Sequence, residues 1–191
     1  MKTEFAYFGG GCFWCTEAIF SSGGGSAFGG KELNGVISVM PGYSGGPSIS
    51  SGQAPTYEEV SSGRTGHVET IKIEYDSELI SYETLLKIFF GTHDPTTLNR
   101  QGNDAGTQYR SIVFYSNEEE KRKAEKYIKF LEEQKVYNNP IVTEIKRFEK
   151  FYEAEDYHKN YYKYHKDEPY CQVVILPKLE KLHEKYKEYL K

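Results

Sequence analysis

The apolar positions of the chain fall into short runs with two periods. Phe5-Ala6-Tyr7-Phe8 is an apolar run that stops at Gly9-Gly10-Gly11, and Thr16–Phe20 beyond it has the composition of a helix. The pattern predicts a strand, a tight glycine turn and a helix start. Gly35–Met40 reads as a second strand that closes in a turn at Pro41–Gly46. Val68–Tyr75 alternates, which predicts a half-buried strand with Val68, Thr70 and Lys72 on one face and Glu69, Ile71 and Ile73 on the other. Helical spacing returns in Leu85, Leu86, Ile88 and Phe89, capped by Ser81 and stopped by Asp94-Pro95. It appears again in Ala124, Tyr127, Ile128 and Leu131 behind an Asn117/Glu120 capping box. Pro177 opens a last helix with Leu179, Leu182, Tyr186 and Leu190 on one side. Arg110–Tyr115 and Ile141–Ile145 read as strands, Asp156–His165 as a short tyrosine-rich helix, and Val173–Leu176 as a strand-like run.

Strands that are few and partly adjacent, set between helices, predict an α+β fold. The expected form is a two-layer sandwich, a mixed or antiparallel sheet with helices packed on it, as in a ferredoxin-like plait. A chain of 191 residues is expected to form one catalytic domain over 1–191. Ser21–Gly30 is a Gly/Ser-rich loop insertion in composition, and Pro47–Pro55 and Thr96–Gly106 are polar loops.

Composition narrows the class of function. With 38% hydrophobic and 27% charged residues the chain suits a soluble protein, and a net charge of −4 gives no reason to expect nucleic acid or an anionic membrane as partner. Neither a signal-peptide core nor a membrane-spanning run is present, so the expected compartment is the cytoplasm. There, three cysteines point to catalysis or redox chemistry rather than to a disulfide framework.

Cys12 follows the three glycines, where free N–H groups and the positive end of a helix favour a thiolate. A buried structural cysteine is the plainer alternative, but a core needs no triple glycine ahead of it. Phe13 and Trp14, the only tryptophan, adjoin Cys12 and make an aromatic wall suited to a small apolar group such as a methyl, although by residue type alone both fit a core. Glu69 falls on the apolar side of its strand, where desolvation would let it hold a proton; an edge glutamate paired with Arg64 or a lysine fits the pattern equally well. Asp104 and Tyr109 sit in the polar loop before Arg110, and Tyr57 is a second candidate hydroxyl donor. The five histidines are scattered and read as structural or surface residues, and their spacing with the cysteines offers no zinc site; no metal and no bound cofactor are expected.

Several motifs together resemble the peptide methionine sulfoxide reductase A family. They are Gly11-Cys12-Phe13-Trp14, Gly66-His67-Val68-Glu69, Asp94-Pro95-Thr96, Leu98–Asp104 and Gly106–Arg110. The resemblance implies Cys12 as nucleophile, Phe13 and Trp14 as the methyl pocket, Glu69 as acid, Tyr57 and Tyr109 as oxygen-binding hydroxyls, and Asp104 as a substrate-loop residue. It implies reduction of methionine S-sulfoxide, free or in proteins and peptides, through a sulfenic acid on Cys12 and a disulfide recycled by thioredoxin. A monomer is expected. Family members often carry a recycling cysteine after a tyrosine near the C-terminus, so Cys171, after Pro169-Tyr170 in a stretch expected to be mobile, is preferred as resolving thiol over Cys15. Two other readings remain. Cys12-Phe13-Trp14-Cys15 also fits a thiol–disulfide oxidoreductase, and the aromatic wall also fits a module that binds methionine without turnover. Turnover of a small methionine sulfoxide with dithiothreitol separates the three.

Overall fold

The structure, a computed structural model, describes residues 1–22, 32–47 and 54–191. Strand β1 (Thr3–Gly10) is followed by helix α1 (Phe13–Ser22), β2 (Val36–Ser44), a short α2 (Tyr57–Ser61), β3 (Val68–Asp76) and α3 (Tyr82–Thr92). Two-residue strands β4 (Arg100–Gln101) and β5 (Asp104–Ala105) form a hairpin. Then come β6 (Ser111–Tyr115), α4 (Glu118–Glu133), β7 (Glu144–Arg147), β8 (Phe151–Glu153), α5 (Tyr161–Tyr164) and α6 (Leu176–Lys185). The fold is α+β, with one mixed sheet in the order β7-β6-β1-β3-β2-β8. All neighbours are antiparallel except β6 and β7.

β1 lies at the centre, paired on both sides, because an apolar run with no charge in its second half is stable only when both edges are covered. Helix α1 packs on β2 and β3, and α3 on β1. Between them Phe8 stacks on Phe89, with ring centroids 4.9 Å apart, and Phe20 and Tyr82 flank the pair. The alternation of β3 appears as expected. Glu69, Ile71 and Ile73 are buried toward the helices, while Val68 joins a smaller cluster with Ile112 and Phe114 on the other face. Ser81 caps α3 by accepting the Thr84 N–H, and Asn117 accepts the Glu120 N–H at the start of α4.

Four expectations need correction. β2 does not turn at Pro41 but continues through Pro41-Gly42-Tyr43 to Ser44, paired with β3 and β8. Pro41 gives up a donor but its carbonyl accepts the Ala154 N–H at 3.0 Å, and Gly42 is needed because a Cβ there would lie 2.2 Å from the Tyr152 carbonyl oxygen. The strand expected over Ile141–Ile145 forms three residues later, over Glu144–Arg147, in parallel with β6. The helix expected over Asp156–His165 is broken into a 3₁₀ turn (Asp156–His158) and α5, because Asn160 takes the left-handed conformation (φ +55°). Val173–Leu176 is helical: a π-helical turn over Cys171–Ile175 runs directly into α6, putting Ile175, Leu179 and Leu182 on one buried face. Most of the Ser21–Gly30 segment, and residues 48–53 of the Pro47–Pro55 loop, lie outside the described residues. Among the described residues no helix is long and apolar enough to cross a membrane.

Candidate active site

The end of β1 delivers Cys12 to the start of α1. Gly10 has no room for a side chain, since a Cβ would meet the Phe89 ring at 2.7 Å. Gly11 turns the chain at φ +95°, with Gln101 packed against its bare Cα. Cys12 is the residue before the first turn of α1, and its carbonyl accepts the N–H groups of Cys15 (3.1 Å) and Thr16 (3.4 Å). Its neighbour Phe13 donates its N–H to Oε2 of Glu69 at 2.9 Å, which ties the third strand to the helix start.

Glu69 is 1% exposed. Burial pushes its carboxyl up to about 8, against the pull of the Phe13 N–H, and nearby Asp104 and Cys15 add to the rise. The group is therefore protonated at neutral pH. With Oε2 accepting from Phe13, the proton belongs on Oε1. Tyr57 and Tyr109 lie close enough to feel the charges of Glu69 and Cys12; burial above all holds both hydroxyls in the neutral, donating form. Tyr57 is the first residue of α2, which is fixed by a Thr56/Glu59 capping box and by the Tyr57 N–H donating to Glu155 at 2.8 Å.

All three cysteines are free thiols and all are buried. The Cys12 and Cys15 thiols are electrostatically linked, and the Tyr170 hydroxyl lies beside Cys15. Hydrogen bonding from Cys12 above all draws Cys15 down to about 6, while burial raises Cys12. The helix N-terminus alone led the sequence reading to a lowered Cys12. The pair instead gives up its first proton as a unit, with the remaining proton shared. Tyr170 donates to Oδ2 of Asp104 at 3.0 Å and its oxygen lies 3.6 Å from Cys15 Sγ, so Asp104, at the turn of the β4–β5 hairpin, acts on the thiols through Tyr170. Cys171, expected in a segment leaving a helix, lies within one instead. It is fully buried at the start of the π-helical turn, and burial pushes its thiol up to about 11.

Phe13 is fully buried, ringed by Tyr43, Tyr57 and His158 with centroids 5.8, 6.5 and 5.0 Å away. Trp14 is half-buried. Its Nε1–H donates to Nδ1 of His158 at 3.1 Å, Tyr161 stacks on it at 3.6 Å and 5°, and Tyr170 meets it edge-on at 5.9 Å. Burial lowers the pKa of His158. The ring is therefore a neutral acceptor on Nδ1, with its proton on Nε2, 4.0 Å from Glu155. The sequence reading set His158 aside as a structural or surface residue and did not include Tyr161. A histidine and four tyrosines within nine residues, Asp156 to Tyr164, was the available signal. Among the described residues, no group of three or more His, Cys, Asp or Glu side chains is arranged to hold a metal ion.

The arrangement is a buried thiol pair, a buried protonated carboxyl beside it, two neutral phenols and an aromatic cage. It can attack an electrophilic atom, protonate an oxygen leaving it, and enclose a small apolar group. Comparison with known proteins agrees with that chemistry. Residues 4–190 match the family model described as peptide methionine sulfoxide reductase. The chain is 54% identical to the peptide methionine sulfoxide reductase MsrA of Saccharolobus solfataricus, covering 93% of this chain and 92% of that one. It is 49% identical to that of Picrophilus torridus, covering 96% and 95%. Among solved structures it resembles reduced Mxr1 from Saccharomyces cerevisiae, with a TM-score of 0.78 and 30% identity over 89% of this chain and 90% of that one.

Proposed function

The chain belongs to the peptide methionine sulfoxide reductase family, and from that premise we propose how its residues carry out the reaction. It is a peptide methionine sulfoxide reductase, which reduces methionine sulfoxide to methionine. The substrates we propose are the S epimers of the free and peptide-bound sulfoxide.

Cys12 is the nucleophile. Its sulfur attacks the sulfoxide sulfur while Glu69 passes its proton to the sulfoxide oxygen, and Tyr57 and Tyr109 donate hydrogen bonds to that oxygen as negative charge builds on it. The hydroxyl then passes from the substrate sulfur to the Cys12 sulfur: the substrate sulfur–oxygen bond breaks as a Cys12 sulfur–oxygen bond forms, the sulfur–sulfur bond breaks with its electron pair going to the substrate, methionine leaves two electrons richer, and Cys12 is left as sulfenic acid. Phe13 and Trp14 enclose the substrate methyl, and Asp104 orders the site through Tyr170. The single observation that carries the reading is the Phe13 N–H bond to Glu69, which sets a buried, protonated carboxyl beside the Cys12 helix start.

For the second step we propose Cys15 as the thiol that condenses with the sulfenic acid, releasing water and forming a disulfide. The sequence preference for Cys171 rested on the family resemblance and on an expected mobile segment. Cys15 is supported instead by its place one helical turn from Cys12, with its N–H donating to the Cys12 carbonyl at 3.1 Å, and by a thiol electrostatically linked to that of Cys12. Thioredoxin is the proposed external dithiol and the cytoplasm the proposed compartment, where free thiols are the rule. We also read the molecule as one domain built as a two-layer plait. The antiparallel order β6-β1-β3-β2, with α1 and α3 as the connecting helices, supports the ferredoxin-like form.

A reductant-free incubation with excess methionine sulfoxide tests the first step. One equivalent of methionine per enzyme is expected from the wild type and none from Cys12→Ser, since a hydroxyl is a poor nucleophile at its free pKa. Near-normal product from Cys12→Ser would overturn the assignment.

A further inference from the structure

Glu17 is 1% exposed and takes no part in the chemistry above. It lies one helical turn after Trp14 on α1, and its two carboxylate oxygens accept consecutive backbone N–H groups, Asn160 at 2.7 Å and Tyr161 at 3.3 Å. Those N–H groups converge because Asn160 is left-handed, at φ +55°. Burial raises the Glu17 carboxyl to about 7, and among the described residues the bonds that favour its charged form come from this one turn. The same turn presents the ring that lies flat on Trp14. Tyr161 is sandwiched between Trp14, at 3.6 Å, and His165, at 4.3 Å. Its hydroxyl donates to Glu168, so its outer end has a separate anchor.

We propose that Glu17 is a positioning residue for substrate recognition: by clamping the Asn160–Tyr161 turn to α1 it fixes the Tyr161 ring on Trp14 and thereby sets the wall that encloses the substrate methyl. Glu17 touches neither substrate nor reacting atoms. A carboxylate is required because two donors face two acceptor oxygens. Glutamine in the same space offers one acceptor and turns an N–H₂ toward a donor, leaving a buried donor unsatisfied. The proposal rests on the reductase reading, in which Trp14 contacts the methyl.

Because Trp14 is the only tryptophan, its emission reports on that stack directly. In Glu17→Gln the KM for a small methionine sulfoxide should rise about fivefold with kcat changed less than about twofold, as expected when one net hydrogen bond that supports binding is lost. Trp14 emission should shift, and acrylamide should quench it more readily. Asn160→Ala, a substitution at an exposed site that strains the left-handed turn, should move both readouts the same way by a smaller amount. It serves as the measure if Glu17→Gln does not fold. Tyr161→Leu should raise KM as well, and adding Glu17→Gln to it should raise KM little further. The proposal is overturned if folded Glu17→Gln, or folded Asn160→Ala, keeps wild-type KM and Trp14 emission, whatever its melting temperature, or if Glu17→Gln and Tyr161→Leu act multiplicatively. Failure of the wild type to reduce the sulfoxide would sink the reductase reading instead, and Trp14 emission would still decide the link from Glu17.

Discussion

Two stretches meet at Trp14 and are held in place by different means. Gly9–Glu17 ends a central strand paired on both edges and begins a ten-residue helix, so backbone hydrogen bonds fix Cys12, and the Glu69 carboxyl adds one to the Phe13 N–H. Asp156–Cys171 has one 3₁₀ turn and a four-residue helix, and side chains of other elements hold it: Glu17 on its backbone, Trp14 on His158 and Tyr161, Asp104 on Tyr170. The first stretch carries the reacting thiols. The second forms the wall around them. Damage to the first should therefore stop chemistry, and damage to the second should loosen recognition while chemistry survives.

The largest effect is expected from the thiols. Cys15→Ser should form its one equivalent of methionine, but its turnover with thioredoxin should collapse, while Cys171→Ser should keep turning over. Mass mapping of the oxidised wild type should then find Cys12 joined to Cys15. A Cys12–Cys171 link, with collapse only in Cys171→Ser, would return the resolving role to the second stretch and blur the division. A smaller effect is expected from His158→Phe, which removes the acceptor of the Trp14 N–H but keeps a ring of similar size. KM should rise about fivefold to tenfold with the single-turnover rate at saturation nearly unchanged. A large fall in that saturated rate would mean that the second stretch takes part in chemistry.

The difference between the stretches also decides what could be read from sequence. Three glycines before a cysteine, and the alternation that sends Glu69 inward, are local patterns, and each follows from backbone geometry or period two. The second stretch has no such code. His158 becomes a hydrogen-bond partner of Trp14 across 144 positions, and the tyrosine-rich composition around it marks an aromatic cluster but not that partner. The break at Asn160 exists because Glu17 and Trp14 reward the broken form, so helical spacing over Asp156–His165 misled. Val173–Leu176 reads as a strand by composition, yet no sheet edge takes it up. Ile175 joins the same buried face as Leu179 and Leu182, while Val173 is left exposed.

A further effect concerns stability. Glu69 has a folded pKa of about 8 against an ordinary 4.5. The folded protein thus holds a proton that the unfolded chain has released between those values. The stability this gives is complete below about pH 4.5 and is lost as pH rises through 8, on the order of a few kcal/mol over the window. Glu69→Gln cannot ionise, so its melting temperature relative to wild type should climb by several degrees between pH 5 and pH 8.5. A constant difference across that range would mean that the carboxyl is not held protonated by the fold.

The pH profile of the single-turnover rate tests the pairing of thiol and acid most directly. Measured by rapid quench without reductant, the rate of methionine formation should rise as the thiol pair loses its first proton near pH 6 and fall as Glu69 loses its own near pH 8. In Glu69→Gln the rate should be about 10²–10⁴-fold lower and the alkaline fall should disappear. A wild-type rate that keeps rising past pH 9, or a Glu69→Gln profile that retains the alkaline fall at undiminished rate, would contradict Glu69 as the proton donor.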